Sequence, residues 1–263
     1  MSQGSDQGTA DILIPVRNNY PGTRVLLECI YRHTEYPFHI YVIDNASTDE
    51  TVYLGKIYTR NITVVRNRVN RGWEGAINQG IRLASNPYIV FLDSGVEVSH
   101  GWLGNMIAFL DTHPRIAAVG PLHSNRDDWQ LVDRVRREIV PQMPRFFTED
   151  LHERNRILQY HFQHAGILVD RILDFSCAAF KRRAIEETGP IENSIQRGGN
   201  AKYCRRLRKR GYVIGLALDT CIVLPDEGAQ GSRTETRGKN GRMRVTEADT
   251  AIPEKSRPRS RRK

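Results

Sequence analysis

The 263 residues suffice for one large α/β domain or two small ones, and a hydrophobic share of 39% is adequate for a core. The formal charge of +9 points to anionic partners such as nucleotides, nucleic acid or an acidic membrane surface, and part of the excess sits from Arg233 onward. The four cysteines, at 29, 177, 204 and 221, have no C-x-x-C spacing, which argues against a zinc site or a disulfide framework and for buried thiols in a reducing, cytoplasmic compartment. No apolar run is long enough to span a bilayer, and residues 1–10 lack a signal-peptide core and read as a flexible start.

In chain order, residues 11–16 predict a first strand with Pro15 at its end, because proline cannot donate to a central ladder. Thr23 is placed to cap a helix with Val25, Leu26, Cys29 and Ile30 on one face. A second strand over 39–43 ends at Asp44, and Ser47 or Thr48 can cap a helix starting near Glu50. A third strand covers 62–65, a helix runs from Glu74 to Ala84, and the apolar run 88–92 predicts a strand buried on both faces. This alternation implies parallel strands joined by helical crossovers.

Beyond Trp102 the pattern predicts a helix to Leu110, a strand over 116–121, helices over 131–140 and 149–162, and a late strand over 173–180. A short helix over 183–187 ends at Gly189. A very basic helix over 201–210 is stopped by Gly211, and strands follow over 212–218 and 220–224. Residues 228–263 lack apolar periodicity and read as a disordered basic tail.

The stretch from Asn86 to Leu103 organises the rest. Its buried strand ends abruptly at Asp93-Ser94-Gly95. In open α/β sheets the carboxyl ends of the strands form the ligand crevice, although Asp, Ser and Gly also make turns.

Several stretches then resemble family 2 glycosyltransferases in one order. They are Ile14-Pro15-Val16-Arg17-Asn18, the run from Val42 to Thr51 around Asp44, Asn70-Arg71-Gly72-Trp73 through Gly80, and Phe91-Leu92-Asp93-Ser94-Gly95 with Gly101-Trp102-Leu103. The resemblance covers roughly 11–224. It implies an α/β GT-A fold with a mixed, Rossmann-like sheet over 11–227, split into a nucleotide-binding half (about 11–122) and an acceptor half (about 123–227). It also implies a nucleoside-diphosphate sugar, of the UDP type, as donor. Pro15, Val16, Arg17, Asn18, Asp44, Asn45, Ser47, Arg71, Gly72, Asn78, Asp93, Ser94 and Gly95 would border that donor. Asp44 would accept from the base, and Asp93 would address the ribose or diphosphate. A turn or capping role stays open for Asp44, as does an ordinary surface position for Arg17 and Arg71.

The departures from the family pattern concern the metal and the base. The last acid of its D-x-D motif is Gly95 here, which offers no side-chain oxygen to Mg²⁺ or Mn²⁺ and leaves Asp93 as the single acid. The register of 198–212 puts Asn200 where the resemblance implies the general-base aspartate and Lys202 where it implies a later one. Pro225 takes the place of a metal-binding histidine. A divalent metal is therefore doubtful, and Lys202, Arg205 or Arg206 could stand in for it at the diphosphate unless that helix presents a solvated face. Asp226, Glu227 or Glu192 remain candidates for the base. Three readings follow: a transferase, metal-independent or weakened, acting on an unknown acceptor; an inactive binding protein on the same scaffold; and a transferase whose acceptor is polyanionic, such as modified DNA, tethered by the basic tail as a nucleic-acid contact.

Overall fold

The computed structural model describes residues 8–124, 130–143, 145, 150–192 and 199–224. The basic tail, Pro225, Asp226, Glu227 and Gly198 lie outside the described residues. The chain builds a nine-stranded mixed sheet with helices on both faces.

Four strands, β1 (Ala10–Val16), β2 (Phe38–Asp44), β3 (Ile62–Arg66) and β4 (Tyr88–Leu92), pair in parallel in the order β3-β2-β1-β4. Their crossovers carry α1 (Tyr20–His33), a 3-10 turn (Glu50–Tyr53) running into α2 (Leu54–Ile57), and α3 (Gly72–Leu83). Alternate residues face opposite sides, as strand geometry requires. Leu13 and Phe91 enter one core cluster, while Ile12, Ile14, Val90 and Leu92 enter the other. Pro15 pairs with Ile43 on β2 but lies past Leu13↔Phe91, the last β1–β4 pair, so its missing N–H costs that ladder nothing.

The remaining elements are β5 (Glu97–Val98), α4 (Trp102–Asp111), β6 (Ile116–His123), α5 (Val132–Glu138), α6 (Leu151–Phe162), β7 (Gly166–Val169), β8 (Cys177–Lys181), α7 (Arg182–Thr188), α8 (Gly199–Lys209) and β9 (Val213–Val223). β8 lies antiparallel between β4 and β6 and joins the parallel half to the rest. β6 and β9 are parallel, and β7 and β5 pair with β9.

Local physics moved several boundaries. Helix α1 starts three residues before Thr23: the Asn19 side chain accepts from the Gly22 N–H, and the Thr23 hydroxyl donates instead to the Asn19 carbonyl. On its face Leu26, Leu27 and Ile30 are buried, whereas Val25 is 44% exposed. Asp49, not Ser47 or Thr48, caps the turn at Glu50. Strand β7 escaped the periodicity reading, and β8 starts only at Cys177. β9 is one strand rather than two. Its register to β6 jumps from Gly120↔Leu216 to Leu122↔Cys221, where Pro121 lacks an N–H to pair.

Cys177, Cys204 and Cys221 are buried and unpaired by disulfides. Burial raises the Cys204 thiol to about 11 and the Cys221 thiol to about 12, and pushes Cys177 up as well. Among the described residues no helix is long and apolar enough to cross a membrane.

Candidate active site

The carboxyl ends of β1, β2 and β4 are tied into one rim by side chains of the loops that follow them. Asn18, at a left-handed φ of 49°, donates its N–H to Ser47 Oγ (3.0 Å) and accepts from the Thr48 N–H (2.7 Å). Asp49 accepts from the Tyr20 N–H, and Asn19 Nδ2 donates to Ser94 Oγ at 3.1 Å. The first loop is thereby fastened to both the second and the fourth.

Asp44 ends β2 and is 1% exposed. One oxygen, Oδ1, accepts from the Ser47 N–H at 2.8 Å and forms the turn. The other, Oδ2, lies 3.6 Å from Arg66 Nε and has no hydrogen-bond partner. A buried carboxylate oxygen left in that state costs free energy that a donor from a ligand would recover. A cavity of about 440 Å³ opens beside it, lined by Ala46, Ser47, Thr48, Arg66, Asn67 and Arg68. Arg66 did not stand out in the sequence. The signal was available, since Arg66 ends β3 in register with Asp44 at the end of β2.

Asn45 faces away from this role. Its Oδ1 accepts from Asn67 Nδ2 and the Arg71 N–H, both at 3.1 Å, and its Nδ2 donates to the Gly72 carbonyl at 2.9 Å. It pins the start of α3 to the end of β2. Asn78 pins the other flank, exchanging two hydrogen bonds with the backbone of Ile191, at 2.6 and 2.9 Å. Arg17 and Arg71 are exposed, and Gly72 turns the chain into α3 at φ 72°.

Asp93 immediately follows β4 and is 3% exposed. Its N–H donates to the Ser176 carbonyl at 2.8 Å, and its Oδ1 accepts from the indole Nε1–H of Trp73 at 2.9 Å. Gly95, two residues on, has φ 92°, a left-handed value that disfavours any side chain. Among the described residues, no group of three or more His, Cys, Asp or Glu side chains could hold a metal ion.

Helix α8 carries the three cations expected at the diphosphate, and packing divides them. Lys202 and Arg205 are exposed, but Arg206 donates to the carbonyls of Thr188 and Pro190 and lies 3.5 Å from Glu192. Arg206 therefore binds the end of α7 rather than sharing an anion with Lys202. Asn200 sits half-buried in the first turn of α8.

The family model described as Glycosyl transferase family 2 matches residues 11–189. An uncharacterized glycosyltransferase of Escherichia coli, YibD, is 33% identical over 89 residues, 33% of this chain and 26% of that protein. A PGL/p-HBAD biosynthesis glycosyltransferase of Mycobacterium tuberculosis is 30% identical over 108 residues, 39% of this chain and 41% of its own length. The matched stretches thus span well under half of these relatives. A mannosyltransferase from Pyrobaculum calidifontis, solved with GDP-Man and Mn²⁺, superimposes with a TM-score of 0.65 at 21% identity, over 85% of this chain and 59% of that one. GalNAc-T7, solved with UDP, GalNAc and Mn²⁺, gives 0.63 at 16% identity, over 87% and 46%. At these identities the two structures establish the GT-A fold.

Proposed function

Because this chain belongs to the family 2 glycosyltransferases, we propose that it holds a nucleoside-diphosphate sugar across the ends of β1, β2 and β4 and transfers the sugar to an acceptor hydroxyl. The observation that carries this reading is the buried Asp44 oxygen without a hydrogen-bond partner, beside a cavity of about 440 Å³. A carboxylate there accepts an N–H from the base edge of the nucleotide. Uracil and guanine both present one, and the resemblance favours a uridine donor. Asp93 would address the ribose or diphosphate, with Pro15, Val16, Arg17, Ser47 and Ser94 around it.

Transfer breaks the bond from the sugar carbon to the diphosphate and forms one to the acceptor oxygen. The leaving diphosphate must be met by positive charge. The solved neighbours carry Mn²⁺. Here Asp93 already accepts from Trp73, Gly95 brings no side-chain oxygen, and among the described residues no group of three or more His, Cys, Asp or Glu comes together, so these side chains do not by themselves fit a divalent cation. We read the exposed Arg71, Lys202 and Arg205 as the compensating charges. An amide at Asn200 cannot take a proton from the acceptor, which predicts slow transfer.

Calorimetry with UDP and GDP, with Mn²⁺ and with EDTA, tests the reading. Asp44→Ala should weaken nucleotide binding about tenfold or more, since a charge-assisted hydrogen bond is worth about 1.5–3 kcal/mol. Equal binding by parent and variant would remove the pocket. A collapse of affinity in EDTA would remove the metal-free arrangement. Asn200→Asp should raise donor turnover, and an unchanged rate would remove Asn200 from the base position.

A further inference from the structure

We infer that Trp73 is a positioning residue for Asp93, and that the glycine-rich turn before it sets the two acids of the donor site relative to one another. The inference rests on the reading that Asp93 faces the donor. An indole can only donate, so its N–H at 2.9 Å holds Asp93 Oδ1 as an acceptor and fixes the rotation of the carboxylate. In a site with a cation cage, metal bonds would do this orienting. Here a protein donor does it.

The indole is itself held by the two segments that hold Asp93. Its ring stands edge-on to Phe91, 6.0 Å between centroids at 89°, two residues before Asp93 on β4. It stacks on Phe175 at 6.3 Å and 29°. Phe175 immediately precedes Ser176, whose carbonyl accepts the Asp93 N–H. The distance from indole to carboxylate is therefore determined from both sides. On the sequence-near side, Asn45 grips the Arg71 N–H and the Gly72 carbonyl. A continuous path of neighbours thus runs from Asp44 through Asn45 and the turn at Gly72 to Trp73 and Asp93. A shift of the base-binding end would be felt at the diphosphate end through this path.

The experiment is a double-mutant cycle on the full-length protein with Trp73→Phe, Asp93→Ala and the pair, reading the Kd for UDP and GDP by calorimetry and the melting temperature in parallel. Trp73→Phe keeps an aromatic ring and removes the N–H. Its Kd should rise about fivefold or more, as expected for loss of a hydrogen bond to a charged group. In the Asp93→Ala background the same change should matter by about twofold or less, because the two act as one unit. If Trp73→Phe folds poorly, site-specific replacement of Trp73 by benzothienylalanine, an isostere with sulfur for the N–H, gives the same readout without a cavity. Loss of affinity in Asp93→Ala with none in either Trp73 variant would overturn the positioning role and leave the donor site standing. Additive effects of Trp73→Phe and Asp93→Ala would also overturn it, since Trp73 would then act by packing alone. No effect of Asp93→Ala, or no binding of either nucleotide by the parent, would overturn the donor-site reading itself and this inference with it.

Discussion

Asp11 is fully buried and accepts from the Ser85 N–H, the Asn86 N–H and Asn86 Nδ2 at 2.7, 2.8 and 2.7 Å, with Arg182 Nη2 at 3.4 Å. It sits at the amino end of β1, away from the rim, and its oxygens have partners. Asp44 is as deeply buried but keeps one oxygen without a hydrogen bond at the rim. This contrast distinguishes an acid satisfied within the fold from the one proposed to bind the donor. Asp11→Ala should therefore destabilise the fold by about 3–5 kcal/mol, because Arg182 loses its buried partner. The nucleotide affinity of the folded fraction should be unchanged, so melting curves and calorimetry would diverge for this variant and agree in the opposite sense for Asp44→Ala. Gly95 makes the same point for the backbone. At φ 92°, Gly95→Asp should cost about 1–3 kcal/mol in unfolding free energy, a penalty of backbone strain that denaturant titration would detect.

At the scale of elements, α8 shows how a charged run is divided by packing. Ala201, Tyr203, Cys204 and Leu207 are buried, which sets the face. Tyr203 meets the edges of Phe175 and Phe180, joining the aromatic group that also holds Trp73. The cations that flank this face are drawn to backbone carbonyls: Arg206 to Thr188 and Pro190, Arg208 to Val169 and Arg171. Lys202, Arg205 and Lys209 stay exposed on this helix. Arg206→Ala should lower stability by about 1.5–3 kcal/mol, the range for hydrogen bonds to a charged group, with nucleotide affinity held. Lys202→Ala should do the reverse. Affinity loss in the Arg206 variant at unchanged melting temperature would return that guanidinium to the donor.

For the whole molecule, the sheet continues from the parallel strands β1 to β4 through β8 into β6 and β9, so these strands share one hydrogen-bonded frame. One buried acid lies within that frame. Asp219, in the irregular part of β9, is fully buried, and burial raises its carboxyl to about 7 despite the His164 N–H at 2.6 Å. The folded state therefore holds a proton that the unfolded chain releases near pH 4. The sign follows: the favourable contribution is complete below about pH 4 and is lost as pH rises towards about 7, because the native state binds more protons across that window. Asp219→Asn should remove this slope. Chemical denaturation from pH 4 to pH 8 checks it: the parent loses stability relative to the variant as pH rises, and parallel curves would show that Asp219 titrates normally.

The apolar runs and their turn residues determined the parallel strands β1 to β4 and the helices between them, because strand and helix periods are local properties of the chain. They also placed Asp44 at the end of one strand and Asp93 just past another, since Asp, Asn, Ser and Gly after an apolar run favour a turn. β7, the antiparallel insertion of β8 and the unbroken β9 depended on partners distant in sequence, and no local period encodes a partner. The same limit governed the site. Whether Arg206 faces an anion or a carbonyl, whether Asn45 binds a ligand or a turn, and which group holds Asp93 were decided by which neighbours the packed structure brought within hydrogen-bonding distance. Hydrogen bonds reach only about 3 Å, so their partners are fixed by tertiary packing and not by residue type.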